Sequence, residues 1–445
     1  MSENWMRYSM SARLVIIGGL VLVLLIPSFM IRSLISERQD RRDEAIREIS
    51  SKWGLDQTIT GPFISIPFTD HYENSEGETK ERIAYAHMLP DDLIISGGME
   101  PELRRRGIFE AVLYNTKLDI SGSFYMNKLA DLNIPQKDIL WEGAYVSLGV
   151  SDMKGIQEEV VVDVDGITAP FNPGIESKDV VSRGMSHPLA ELKARERVEI
   201  SFSLDLNGSS YLGFIPLGQQ TRVSLSSTWG DPSFRGNFLP EEHTISDSGF
   251  SADWKVLHLN RNYPQVWTGG QSDLSRSSFG VELLIPVDEY QKNMRTTKYA
   301  FMSIGLTFLS FFMIELLNKR VALHPIQYLL IGFALLVFYT LLLSISEHLS
   351  YGPAYLISSL ATITLISLYT LSTLKSRQQT VIILLILVLL YAYLFILIQL
   401  QDFALLIGSI GLFVILSMVM YLTRGVDWFS TLETRRPPAE KDSEA

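Results

Sequence analysis

The chain has 445 residues, no cysteine and a formal net charge of −11. The lack of cysteine excludes disulfides, thiolate metal sites and a cysteine nucleophile. A net negative chain without a basic patch argues against a nucleic-acid surface.

Residues 1–13 are short and polar, with Arg7 and Arg13 ahead of the first apolar run. Leu14 to Ile31 is apolar and long enough to cross a bilayer core of about 30 Å as a helix. A cleaved signal peptide would carry a shorter apolar region ending in a small-x-small site. Arg32 follows here with no such site, so an uncleaved transmembrane helix over 14–32 is expected. Pro27 is expected to kink it near the exit.

From Glu37 to Trp53, Ile46, Ile49 and Trp53 recur at helical spacing. Asp43–Arg47 and Glu48–Lys52 are i,i+4 pairs of the favourable orientation. A membrane-proximal helix is expected at about 37–53. It is either a lever between membrane and domain or, more simply, a solvated helix docked along one edge.

From about Leu55 to Gln291 the apolar period changes to two. Ile200, Phe202, Leu204 and Leu206 alternate with polar residues, and so do Leu118, Ile120 and Phe124. Val223, Leu225 and Trp229 continue the habit. Asn207-Gly208 and Asp165-Gly166 read as hairpin turns. Residues 33–297 are therefore expected to hold a large β-rich, sandwich-like domain of mostly antiparallel sheets, each with one solvated face. The segments 117–124 and 198–210 share a strand rhythm that could mark a duplication. Glu241, Glu242, His243 and Asp247 could hold a metal, but a hydrated loop explains them more simply. Asn207-Gly208-Ser209 is formally a glycosylation sequon, attributed to the turn. No cofactor or metal is expected.

The C-terminal part carries five further apolar runs, expected as transmembrane helices at 298–317, 326–344, 354–374, 380–398 and 403–422. Residues 423–445 read as a cytoplasmic tail, of which 434–445 are charged, contain proline and are expected to be disordered. The fold class is thus an integral membrane α-helical protein of six transmembrane helices, with the β-rich domain inserted between the first and second. Lys319 and Arg320, Lys375 and Arg377, and Arg424, Arg435 and Arg436 follow alternate spans, whereas the intervening short loops lack Lys and Arg. Positive charge marks the cytoplasmic side, so both termini are expected in the cytoplasm and the domain outside it. Arg32, Arg38, Arg41 and Arg42 oppose this, but long domains translocate largely regardless of charge.

No catalytic motif is present. Ionisable residues within spans are the default functional candidates. Glu315, in the second span, is expected to pair with Lys319 at the cytoplasmic boundary. Glu347 and His348 end the third span and Asp402 opens the sixth, where the three could meet on the outer face; Asp402 is also a natural helix N-cap. Ser358, Thr362, Tyr369 and Thr373 share a face of the fourth span and are read as joining helices.

Several segments carry a family resemblance. They are GPFISIP (61–67), STWGDPSFRGNFLP (227–240), GFSADW (249–254), YPQ (263–265), EYQKNMRTTKYAFMSIGLTFLSFFMIELL (289–317), LHPIQYLLIGFALLVFYTLLLSISEH (323–348) and VDWF (426–429). In order and content they resemble CreD-type inner-membrane proteins, the bacterial cell-envelope integrity family. The resemblance implies a Gram-negative inner-membrane protein with a periplasmic domain after the first span. It also implies a role in envelope integrity or stress, linked in the family to colicin tolerance and a two-component response, and no agreed catalytic set. Glu315, His324, Pro325, Glu347 and His348 fall on its motif positions.

The expected function is a non-enzymatic inner-membrane protein whose periplasmic domain engages an envelope protein, lipid or glycan. Its partners include the lipid bilayer and no nucleic acid. The alternatives are a transporter or channel subunit for a small solute or lipid, and an envelope-modifying enzyme at the domain–membrane junction.

Overall fold

The computed structural model describes residues 10–74, 77–189, 192–270, 274–285, 289–317, 323–400 and 403–424. The chain divides into two compact units, Met1–Arg41 with Val287–Ala445, and Arg42–Pro286. The helices are α1 (Met10–Trp53), α2 (Glu289–Lys298), α3 (Ala300–Leu317), α4 (Pro325–Ser346), α5 (Tyr351–Leu374), α6 (Arg377–Gln399) and α7 (Ala404–Thr423).

The first span and the expected membrane-proximal helix are one element. α1 is continuous for 44 residues and runs through Pro27 without a break. Five helices are long and apolar enough to cross a membrane, and α2 with α3, bent by 43°, makes a sixth candidate. The expected spans agree with α3 to α7 to within a few residues. Residues 289–297, assigned above to the β-rich region, are helical instead. Tyr290, Asn293, Thr296 and Thr297 recur at helical spacing and are buried, so α2 belongs to the helical unit.

The strands are β1 (Gln57–Glu73), β2 (Thr79–Met88), β3 (Asp92–Arg106), β4 (Phe109–Tyr125), β5 (Tyr145–Val150), β6 (Val161–Val164), β7 (Ile167–Pro170), β8 (Asn172–Pro173), β9 (Gly184–Pro188), β10 (Arg197–Ser209), β11 (Tyr211–Phe214), β12 (Gln220–Ser227), β13 (Pro232–Gly236), β14 (Glu242–Ser246), β15 (Gly249–Leu257), β16 (Val266–Thr268) and β17 (Phe279–Leu283). One sheet has the order β13-β17-β11-β1-β5-β9-β8, with β2 on β1 and β16 on β2. The other has the order β14-β15-β12-β3-β4-β10-β6-β7. All pairs are antiparallel except β1 with β11 and β3 with β12.

Alternation builds this unit. Val198, Ile200, Phe202 and Leu204 of β10 are buried and the residues between them exposed, because successive side chains leave opposite faces of a strand. The inner faces share one core. Trp254 of the second sheet meets Phe279 of the first at 5.8 Å between ring centres. Such ring pairs add about 0.5–1.5 kcal/mol beyond the area they bury. The two segments with a common rhythm are partners across the sheet, Phe202 facing Ile120 and Leu204 facing Leu118.

Asp165-Gly166 does turn the chain between β6 and β7, with φ of 52° and 88°. Asn207-Gly208 does not. Both lie inside β10, paired with Asn115 and Tyr114, and the turn falls at Ser210 with φ 55°. Tertiary packing overrides the local signal. Tyr114 is fully buried and its hydroxyl donates to Tyr211 O at 2.8 Å. Its ring occupies the space where a Cβ on residue 208 would stand. Asn207 is 3% exposed, so the sequon is folded into the sheet rather than presented on a loop.

In the helical unit, Phe338 of α4 contacts Tyr355 of α5 at 5.4 Å and Tyr391 of α6 at 4.8 Å. The Tyr355 hydroxyl donates to Tyr391 O at 2.7 Å. Ser358 and Thr362 are buried, and the Thr362 hydroxyl donates within α5 to Ser358 O at 2.9 Å. The bond that joins α5 to α6 here is thus that of Tyr355, whereas on the expected face the Ser358 hydroxyl has no hydrogen-bond partner among the described residues, Thr362 bonds within its own helix, and Tyr369 is only half-buried. α7 has no buried residue, and its link to α6 includes the Tyr393 hydroxyl donating to Ile407 O at 3.0 Å. An apolar helix with all faces uncovered suits lipid as its solvent.

Candidate functional site

Polar side chains gather at both ends of the helical unit. At one end Glu347 caps α4 with its side chain 9% exposed. Its carboxylate accepts from the Tyr290 hydroxyl of α2 at 3.1 Å and faces Arg38 Nε of α1 at 3.6 Å. Beside it, Asn293 Nδ2 donates to Ser346 Oγ at 2.7 Å, and the Thr296 and Tyr351 hydroxyls bond at 2.6 Å. Arg32 of α1 donates to Thr297 O at 3.2 Å, a carbonyl of the last turn of α2. A cation there meets the negative end of the helix dipole. α1, α2, α4 and α5 are thus held together by paired polar groups, while Arg32 Nε and Asn293 Oδ1 are buried without a hydrogen-bond partner among the described residues.

His348 is exposed and takes no part in the ion pair. Its backbone N–H donates to Ile345 O at 3.0 Å. Asp402 lies outside the described residues, so the expected meeting of Glu347, His348 and Asp402 reduces to the neighbours Glu347 and His348, of which Glu347 alone joins the network.

At the other end Glu315 is 5% exposed. Its described partners differ from the expected Lys319, which also lies outside the described residues. Glu315 Oε1 accepts from the Leu323 N–H at 2.7 Å and from the Tyr328 hydroxyl at 3.3 Å. The Arg13 guanidinium of α1 is near enough to act on the carboxylate electrostatically. His324 is the N-cap of α4: its Nδ1 accepts from the Ile326 N–H at 3.3 Å, and its own N–H donates to Gln327 Oε1 at 2.8 Å. Pro325 takes the first helical position, where its missing N–H and fixed φ cost nothing. The run Leu323-His324-Pro325-Ile326-Gln327-Tyr328 is therefore a helix start locked to a buried carboxylate. Glu315 and His324 have structural partners that account for them.

Among the described residues neither end assembles a nucleophile with a base, and no group of three or more His, Asp or Glu could hold a metal ion. Glu242 and His243 of the acidic cluster lie on the exposed edge strand β14, with the His243 ring against Phe234.

In the β unit an open groove of about 420 Å³ is bordered by Lys128, Asp131, Gln219, His258, Pro264 and Gln265. The YPQ segment builds its wall. The Tyr263 hydroxyl donates to Pro216 O at 3.0 Å, and Gln265 Nε2 to Pro90 O at 2.8 Å. Arg261 stacks on Tyr263 at 4.1 Å and donates to Leu217 O at 2.9 Å; burial lowers its pKa to about 10. Sequence patterns did not assemble this groove or connect Arg38 and Tyr290 to Glu347, because the partners lie far away in the chain.

The family model for "Inner membrane protein CreD" matches residues 9–429. Over 418 residues the chain is 33% identical to the inner membrane protein CreD of Escherichia coli (strain K12), covering 93% of this chain and 92% of that protein. With its several membrane-spanning helices and the β-rich unit after the first of them, the chain belongs to the CreD family of inner membrane proteins.

Proposed function

We propose that this protein supports the integrity of the cell envelope and its response to stress without acting as an enzyme. In this reading six spans fix it in the inner membrane, both termini are cytoplasmic, and the β unit engages an envelope component in the periplasm.

The observation that carries the reading is the contrast between the units. One consists of apolar helices with pairs of polar side chains between them, and the other is a sheet pair of which the second sheet solvates its outer face and which carries an open, mixed-polarity groove. Lys375, Arg377 and Arg424 support the orientation through the positive-inside rule. Arg32 and Arg38, which oppose it by count, are engaged with Thr297 O and Glu347, so their placement has a packing reason. A solute path is less favoured, because the hydroxyls of Thr296, Tyr351, Ser303 and Tyr339 bond one another across helices.

Photoreactive residues at Asp131 and His258 on the groove rim, with Ser203 on the exposed face of β10 as control, test the engagement in intact cells. The expected result is a discrete adduct with an envelope protein, lipid or glycan from the rim positions only. Identical adducts at all three positions, or none, would contradict it.

A further inference from the structure

Helix α2 is polar on both sides, and the two sides differ in what they meet. Tyr290, Asn293, Thr296 and Thr297 are buried, and the first three bond to the end of α4 and to α5. Lys292, Arg295 and Lys298 follow one another at i, i+3 and i+6 on the opposite side, since steps of three keep side chains adjacent on a helix. Lys292 Nζ lies over the Tyr351 ring at 5.6 Å. Arg295 and Lys298 stand in the last turn, and Arg32 of α1 joins them there. Its Nη2 donates to Thr297 O at 3.2 Å and to Lys298 O at 3.5 Å.

Three cations therefore crowd one helix end without a counter-charge. The carboxylates of this region are committed elsewhere or stand apart. Glu347 faces Arg38 and Glu37 faces Arg41, Glu289 is in the first turn of α2, and Asp40 lies two turns beyond Arg32 along α1. Among the described residues no ion pair reaches Arg32, Arg295 or Lys298. Their level is the edge of the apolar layer: Arg32 directly follows the apolar run of α1, and Lys298 stands just ahead of α3. Like charges so placed repel, and a charge beside a low-dielectric layer is costly unless an opposite charge meets it. Below them the flank of α3 is open. Phe301 is 56% exposed, and nothing lies within 4 Å of the place where a Cβ on Gly305 would stand.

We propose that the last turn of α2, with Arg32, is a binding site for one anionic phospholipid. Arg32, Arg295 and Lys298 hold its phosphate, and an acyl chain lies along Phe301 and Gly305. Arg32 serves both helix and ligand: Nη2 is spent on the carbonyls, which leaves the Nη1 donors for the phosphate. A lipid is favoured over free phosphate because the cations stand at headgroup level above an open apolar flank. The site depends neither on the orientation of the protein nor on what the β unit engages, so its failure would leave both readings untouched.

Binding to the full-length protein in neutral detergent, read by native mass spectrometry, compares phosphatidylglycerol with phosphatidylcholine carrying the same chains. A basic group near an anionic surface is worth about a factor of five in affinity, so three give phosphatidylglycerol an advantage of about a hundredfold. Arg295→Gln combined with Lys298→Gln is expected to reduce the advantage to about fivefold. Lys255→Gln, on the exposed face of β15, is expected to leave it unchanged. If the double variant does not fold, either single variant reads a loss of about fivefold. Glycerol phosphate, which has the phosphate without the chains, is expected not to compete at equal concentration. Equal binding of the two lipids, a preference unmoved by the α2 variants or lost equally with Lys255→Gln, or full competition by glycerol phosphate would overturn the site.

Discussion

Replacing Glu315 by alanine is expected to destabilise the helical unit by about 2–4 kcal/mol. The carboxylate accepts from the Leu323 N–H and the Tyr328 hydroxyl. Tyr328 is fully buried and Glu315 nearly so, and an unsatisfied buried donor costs about 1–3 kcal/mol. Lipid offers no replacement acceptor. Glu315→Gln keeps a carbonyl oxygen in place and is expected to lose less than about 1.5 kcal/mol, the usual worth of one hydrogen bond. Thermal unfolding in detergent, followed by helical signal, separates the two variants. Equal losses would show that the charge rather than the acceptor matters, and no loss in either would remove the helix-start role assigned to Glu315.

The second large effect is in the β unit. Gly208→Val is expected to cost about 3 kcal/mol or more, at the upper end of overpacking penalties. A side chain there must displace the Tyr114 ring, and Tyr114 can move only by giving up its bond to Tyr211 O. Limited proteolysis of the full-length variant should show cleavage within β4 and β10 under conditions that leave the unmodified protein intact. Unchanged resistance would mean that Tyr114 has room that its full burial does not suggest.

These two residues also mark how far the sequence could be read. The spans were legible because bilayer thickness imposes about 20 apolar residues on each, and α3 to α7 fall where those runs are. Strand alternation was legible where a sheet solvates one face, as in β10; the expected solvated face is missing in β5 and along most of β1 in the first sheet, where both faces are buried. Gly208 was misread as a turn because the Asn-Gly pair is a local signal, whereas the register against Tyr114 is set by partners about ninety residues away. α2 was taken for the end of the β-rich region because its buried face is made of Tyr290, Asn293, Thr296 and Thr297, polar residues that an apolar pattern search passes over. Glu315 and Glu347 were singled out as ionisable groups in or beside spans. Their partners were not, since Arg38 and Tyr290 reach Glu347 from two other helices.

The central claim is the division of solvent, with the β unit outside the cytoplasm and the loop before α6 inside it. A chain without cysteine allows a direct test by single introduced thiols. Ser203→Cys lies on the exposed face of β10 and Gln378→Cys at the exposed start of α6. In cells with a permeabilised outer membrane, a maleimide that cannot cross the inner membrane is expected to label Ser203→Cys and to leave Gln378→Cys unlabelled until the inner membrane is opened. The reverse pattern would contradict the account.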